Sequence, residues 1–189
     1  DEGPRAVTME KLAAAKPYFK PEGGTITGAN ASTLNDAAAV VLLASEERAA
    51  ELGLEPLAEL VAYHNIGVPR ELMGEGAFKV IPPLLERAGI GIGEVDLFEI
   101  NEAFSGSTVA VLNELQLDPS IVNVNGGSVA MGHPIGASGC RVLVTLLYAL
   151  QNRGLKHIAA HFGVRSKHRR IGPQNGQAAQ AKNRVFLGI

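Results

Sequence analysis

From Asn35 to Phe162 short apolar runs without helical period alternate with stretches that carry one, and this alternation admits few architectures. The run of alanines, valines and leucines at residues 37–44 reads as a strand buried on both faces, after which Ser45-Glu46-Glu47 caps a helix that ends at Gly53. A second strand is expected around Leu60 to Tyr63, and helical spacing runs from Ala77 to Ala88 with Pro82-Pro83 inside it. Proline lacks the N–H a helix interior needs, so that helix is expected to start near the two prolines. Asp96 to Ile100 is a third strand, Ser105 to Leu115 a helix, Ile121 to Val124 a fourth strand, Cys140 to Arg153 a long helix and His157 to Phe162 a fifth strand. Strands and helices in this order describe an α/β sandwich of three layers, αβα, with a largely parallel or mixed sheet and helices on both faces.

At 189 residues, with 19% charged and 46% apolar side chains, the chain has material for one ordinary folded core. Residues 1–44 form a loop-rich covering region, in which Thr8 caps a short helix, together with the strand at 37–44. Residues 45–164 form the main domain, and residues 165–189 a separate basic and polar tail. The tail holds six basic side chains and no acid, which leaves the first 164 residues with 11 basic against 19 acidic groups. Without interleaved aromatics the run Arg165 to Arg170 reads as a solvated, poorly ordered tail rather than a nucleic-acid contact. One cysteine, Cys140, excludes an internal disulfide and suits a reducing compartment; at the head of an apolar helix it reads as a small buried side chain. No uninterrupted run of about 18 apolar residues suggests a membrane span. The opening Asp1-Glu2, without methionine, reads as an interior stretch of something longer.

In an open α/β sheet the ligand crevice lies beyond the carboxyl ends of the strands, so the loops there carry the chemistry. After the third strand comes Asn101-Glu102-Ala103-Phe104, whose plain reading is a helix cap by Asn101 with Glu102 in the first turn. After the fourth comes the stretch from Asn125 to Gly139, with five glycines in 15 positions around His133-Pro134. A helix follows directly, so His133 is expected near the positive end of its dipole. There an imidazole is pushed toward the neutral form that can take a proton from a nucleophile. Gly136 and Gly139 could also cradle a phosphate, though no P-loop lysine accompanies them, and His157 with His161 lacks the further ligand a metal needs.

The blocks Asn125-Gly126-Gly127, Gly132-His133-Pro134 and Gly136-Ala137-Ser138-Gly139 resemble the active-site histidine loop of the thiolases. Asn101 to Phe104 matches their Asn-Glu-Ala-Phe motif, at a separation from His133 that fits the family's register. Thr25 to Ser32 with Leu34-Asn35-Asp36 is similar to the loop with which thiolases hold the pantetheine arm of CoA. The resemblance covers residues 1–162 and implies a carboxyl-terminal half of the thiolase fold. It implies that His133 activates a cysteine thiol and lines an oxyanion hole whose other donor is a water held by Asn101. It further implies that Gly28, Ala31, Ser32 and Met73 lie along pantetheine, that Phe104 also binds CoA, and that Arg5 and Phe19 lie near the nucleotide. The activity implied is acyl-CoA acetyltransfer, reversible Claisen condensation and thiolysis of 3-ketoacyl-CoA. It needs no cofactor beyond the CoA thioester that is the substrate. The expected partners are CoA and acyl-CoA, a second copy of the chain or a complementary amino-terminal half, and neither nucleic acid nor membrane. A cytoplasmic location is expected, with a mitochondrial one as the alternative.

Two features depart from the family. Its acylated cysteine belongs to an amino-terminal half that this chain lacks, and its second cysteine should stand near Gly163, inside a glycine run that is missing here. Neither that run nor the family's final apolar strand is expected after Val164. The alternative to an enzyme is therefore a catalytically inactive fragment that binds CoA or another protein.

Overall fold

The computed structural model describes residue 4, residues 6–161 and residues 184–188. Four strands form one sheet: β1 (Glu59–His64), β2 (Leu97–Ile100), β3 (His157–His161) and β4 (Arg184–Gly188), in the order β1-β4-β3-β2. All three pairings are parallel, so of the parallel and mixed sheets left open by the sequence the described strands form the parallel one.

Burial alternates across this sheet. Leu97, Ile158 and Ala160 point into one apolar cluster with Val142, Leu146 and Leu150 of helix α6 (Ser138–Arg153). Phe98, Ile100 and Ala159 point into the other, with Val80, Ile81 and Leu84 of α3 (Gly76–Ala88) and Val111 of α4 (Ser105–Leu115). Period-two strands thus feed two helical layers, the expected αβα arrangement. All four residues of β2 are buried, as befits a strand covered on both faces.

Four expectations give way to the structure. The helix expected to begin near Pro82 and Pro83 instead runs through them. Two interior hydrogen bonds are forfeited, while Ala77, Val80, Ile81, Leu84 and Leu85 are buried along one face. Burial of that stripe outweighs the prolines, whose fixed φ is itself helical.

The strand expected at Ile121 to Val124 is reduced to a 3-10 turn at Pro119–Ile121 and a single bridge from Val122 to Phe98. Asn123 ends the pairing because its φ of 49° is left-handed. Its own side chain then completes the edge: Ile100 N donates to Asn123 Oδ1 at 2.7 Å, and Asn123 Nδ2 donates to Ile100 O at 3.0 Å. An amide side chain does what a strand's peptide would have done.

Residues 37–44 form no strand; Val40, Leu42 and Leu43 are exposed by 75% or more. An apolar run becomes a strand only when a neighbour takes its backbone hydrogen bonds and its faces, and among the described residues none does. The last correction concerns the tail. Arg184–Gly188 supplies β4 between β1 and β3, so a final apolar strand is present after all. The basic run Arg165 to Arg170 lies outside the described residues.

The short helices α1 (Met9–Ala13), capped by Thr8, and α2 (Glu46–Glu51), capped by Ser45, stand close to where the sequence puts them. No helix among the described residues is long and apolar enough to cross a membrane.

Candidate active site

At the carboxyl end of β2 the chain leaves the sheet at Asn101, whose N–H donates to His161 O at the end of β3. Asn101 does not cap α4, as the plain reading supposed; Phe104 is the cap residue. Glu102 reaches across instead to accept the N–H of Val129 at 3.2 Å, in the first turn of α5 (Ser128–Met131). That reach needs Gly127, since any β-carbon there would collide with the Glu102 carboxylate.

The glycine loop turns back at Gly132, where φ is 95° and a β-carbon would strike the side chain of Asn35. Only glycine accepts both conditions. The turn hands His133 to a short parallel bridge with Leu34, in which His133 N donates to Thr33 O at 2.9 Å and to Asn35 Oδ1 at 3.1 Å. The backbone that carries the imidazole is thereby pinned to the loop at residues 25–36.

Asn101 Nδ2 and His133 Nε2, 32 residues apart in sequence, approach to 3.5 Å, the outer edge of hydrogen-bonding range. The hydrogen bonds around them assign the protons. With its one proton given to Pro134 O at 3.1 Å, Ser138 Oγ accepts at its 2.7 Å contact with His133 Nδ1. His133 therefore carries its proton on Nδ1 and presents an unprotonated Nε2 toward Asn101. Ser128 Oγ donates to Asn101 Oδ1 at 3.0 Å, which turns the amide's NH2 toward that nitrogen.

Burial, reinforced by the positive charge of Arg141, holds His133 below its ordinary pKa and keeps it neutral. Desolvation is the larger cause, and Ser138, the first residue of α6, touches the ring. Beneath the site Glu99 is 1% exposed, with Glu99 Oε2 at 3.5 Å from Arg141 Nη1. Burial raises the Glu99 pKa to about 7 against the pull of Arg141, and the charge of Glu102 adds to the rise. His161, at the end of β3, is driven by burial to about 4.

The residues proposed along pantetheine are brought to the same end of the sheet. Ala31 forms an antiparallel bridge with Phe104, Ser32 N donates to Ala103 O at 2.9 Å, and Ser105 N donates to Asn30 O at 2.9 Å. Gly28 faces the ring of Tyr18, beside which Phe19 is 76% exposed. Met73 is 63% exposed in the 3-10 turn Arg70–Glu75, next to Gly74, which faces Ser107 in the first turn of α4. Arg5 lies outside the described residues. A crevice of about 410 Å³ opens between residues 35–39 and 134–137 and has half-buried Cys140 on its wall. His157 is turned to Glu94 O, and the described residues hold no cluster of three potential metal ligands.

Sequence reasoning gave no individual role to Ser128, Arg141 or Glu99, and quoted Ser138 and Asn35 only as members of motifs. A hydroxyl or carboxylate spaced irregularly around a loop carries no periodic signal. Only the folded loop shows that Ser138, five residues past His133, sits on its ring.

Comparison with known families decides the lineage. The family model described as "Thiolase, C-terminal domain" matches residues 54–166, and that described as "Thiolase, N-terminal domain" matches residues 1–47. The chain belongs to the thiolase family. An acetyl-CoA acetyltransferase of Paracoccus denitrificans is 50% identical over 149 residues, which make up 79% of this chain and 38% of the relative. The crystal structure of the Bacillus anthracis acetyl-CoA acetyltransferase superposes with a TM-score of 0.81 at 48% identity, over 85% of this chain and 41% of that one. The human mitochondrial 3-ketoacyl-CoA thiolase in complex with CoA gives a TM-score of 0.76 at 38% identity, over 84% of this chain and 40% of that one. This thiolase chain thus spans about two fifths of the length of the proteins it matches.

Proposed function

We infer that this chain supplies the histidine and asparagine half of a thiolase site, for thiolysis of 3-ketoacyl-CoA and the reverse condensation of acyl groups. One observation carries the reading: two loops from separate crossovers bring His133 Nε2 to 3.5 Å from Asn101 Nδ2. In that role Nε2 takes the proton of a cysteine thiol, and the thiolate adds to the 3-keto carbonyl. Cleavage of the bond between carbons 2 and 3 releases acetyl-CoA as its enolate, which a second thiol protonates, and the acyl thioester passes to the thiol of CoA. The imidazolium formed in the first step, with a donor held by Asn101, stabilises the oxyanion.

Cys140 is the one thiol in these 189 residues, so in this reading the reacting cysteines come from residues beyond them, in an amino-terminal half of the same protein or in a complementary polypeptide. Exposed Leu34, Val40, Leu42 and Leu43 offer the apolar surface on which such a half, or a second copy, would pack. The CoA thioester is substrate, no further cofactor enters the reaction, and Gly28, Ala31, Ser32, Met73 and Phe104 would follow its pantetheine, with Phe19 and Arg5 toward the nucleotide. The assigned location is cytoplasmic or mitochondrial.

The test is loss of acetoacetyl-CoA in the presence of CoA, followed with the chain alone and with a cysteine-bearing amino-terminal thiolase half. No turnover alone and turnover in the pair is the expected result. No turnover in either, with CoA still bound, would establish an inactive CoA-binding fragment instead.

A further inference from the structure

We propose that Arg141, braced by the buried carboxylate of Glu99, is a positioning residue that acts through Ser128 to decide which end of the Asn101 amide faces His133. The proposal rests on Asn101 and His133 being the catalytic pair.

Each group at the site has a fixed number of protons to give. A side-chain amide is nearly symmetrical in shape and can sit with either its oxygen or its nitrogen toward a neighbour. Ser128 is completely buried and has one hydroxyl proton. On its own that hydroxyl could donate to Asn101 Oδ1 or accept from Asn101 Nδ2, and the amide would be free to lie either way. Arg141 biases the choice. Its guanidinium can only donate, and Nη2 donates to Ser128 Oγ at 3.3 Å. Arg141 takes one of the two acceptor positions on Ser128 Oγ, so a turned amide would have to share the hydroxyl with the guanidinium and strand the buried Ser128 proton; the proton goes instead to Asn101 Oδ1 at 3.0 Å, and Nδ2 is left for His133.

Glu99 explains why the guanidinium lies there. It stands on β2 two residues before Asn101, fully buried, and faces Arg141 Nη1 at 3.5 Å, while neither carboxylate oxygen finds a hydrogen bond among the described residues. So deep a carboxylate is costly unless a cation answers it. The pair draws Arg141 inward from α6 and holds the fork with its other nitrogen on Ser128. Glu102, a second acid beside the site, is already engaged with Val129 N. Direction then propagates from Arg141 to Ser128 to Asn101.

Removing the Ser128 hydroxyl changes no charge, which separates orientation from the electrostatic effect of Arg141 on the imidazole. In Ser128→Ala the amide can turn its oxygen to His133, where it stabilises the imidazolium. The proton affinity of His133 should then rise about fivefold, the ratio equivalent of one ordinary hydrogen bond. The measurement is a ring-nitrogen NMR titration of the 15N-labelled protein, with His133 assigned by His133→Gln. It is read beside the nuclear Overhauser contact between the Asn101 NH2 and the His133 ring. Ser128→Ala should raise the midpoint and weaken the contact, and Ser128→Thr should restore both. The double variant Glu99→Gln/Arg141→Gln, which leaves no orphaned charge, should weaken the contact in the same way. A folded Ser128→Ala protein with unchanged titration and unchanged contact would overturn the proposal, as would an intact contact in the double variant. Absence of thiolysis by the chain paired with a cysteine-bearing amino-terminal half would refute the proposed function while leaving these spectra readable.

Discussion

Replacing Asn123 by alanine tests the most compact piece of engineering beneath the site. Two bonds to Ile100, at 2.7 and 3.0 Å, would be lost, and a buried strand residue would keep an orphaned N–H and C=O. Each net bond is worth about 1 kcal/mol. Alanine would also occupy the left-handed φ of 49°, which costs a residue other than glycine or asparagine about 1 kcal/mol. The sum is about 3 kcal/mol, which for a chain of this length lowers the melting temperature by roughly 6–12 °C. Thermal denaturation followed by circular dichroism measures it. Asn123→Gly loses the same bonds but not the backbone fit, and should melt a few degrees above Asn123→Ala, the reverse of the usual order of these residues. Melting of Asn123→Ala within a degree of the parent would show that the side-chain amide does not hold the sheet edge.

Gly132→Ala should destabilise by about 1–3 kcal/mol in chemical denaturation, because the new β-carbon meets Asn35 at a left-handed φ. It should also broaden the His133 resonances as the Asn35 bond to its backbone is lost. Exposed Leu34, Val40, Leu42 and Leu43 should make the isolated chain self-associate with concentration in light scattering, and replacing Leu42 and Leu43 by serine should reduce this. Two buried groups should shape stability against pH in opposite senses. His161, lowered to about 4, contributes fully above about 6.5 and loses that contribution as pH falls toward 4; Glu99, raised to about 7, contributes fully below about 4.5 and loses it as pH rises through 7. Because the two windows overlap between about 4.5 and 6.5, the opposed slopes offset each other there in the parent; denaturant midpoints across that range should rise with pH in Glu99→Gln and fall with pH in His161→Phe.

Periodic burial is what a sequence displays most openly, and the strands and helices that obey it were legible. β2 and β3 feed both layers residue by residue, and α6 carries its stripe toward the sheet. Where the structure differs, the deciding interaction is not local. Pro82 and Pro83 are local helix breakers overruled by an apolar face that closes on a sheet far away in sequence. Residues 37–44 have a strand's composition but no partner among the described residues. β4 follows a polar stretch that hid three apolar residues. At the site, His133 and Asn101 were visible as polar groups at strand ends, one of them set among glycines. The serines and the buried ion pair that orient them were not, because a proton's direction depends on which groups the fold brings together.

The central claim is that His133 and Asn101 form one receptor for a thioester carbonyl. A crystal structure of the protein with acetoacetyl-CoA bound tests it most directly. The account places a carbonyl oxygen of the ligand about 3 Å from His133 Nε2, with Asn101 Nδ2 in reach directly or through one water. A ligand whose carbonyls lie in another cavity, with the His133 and Asn101 side chains untouched, would contradict it.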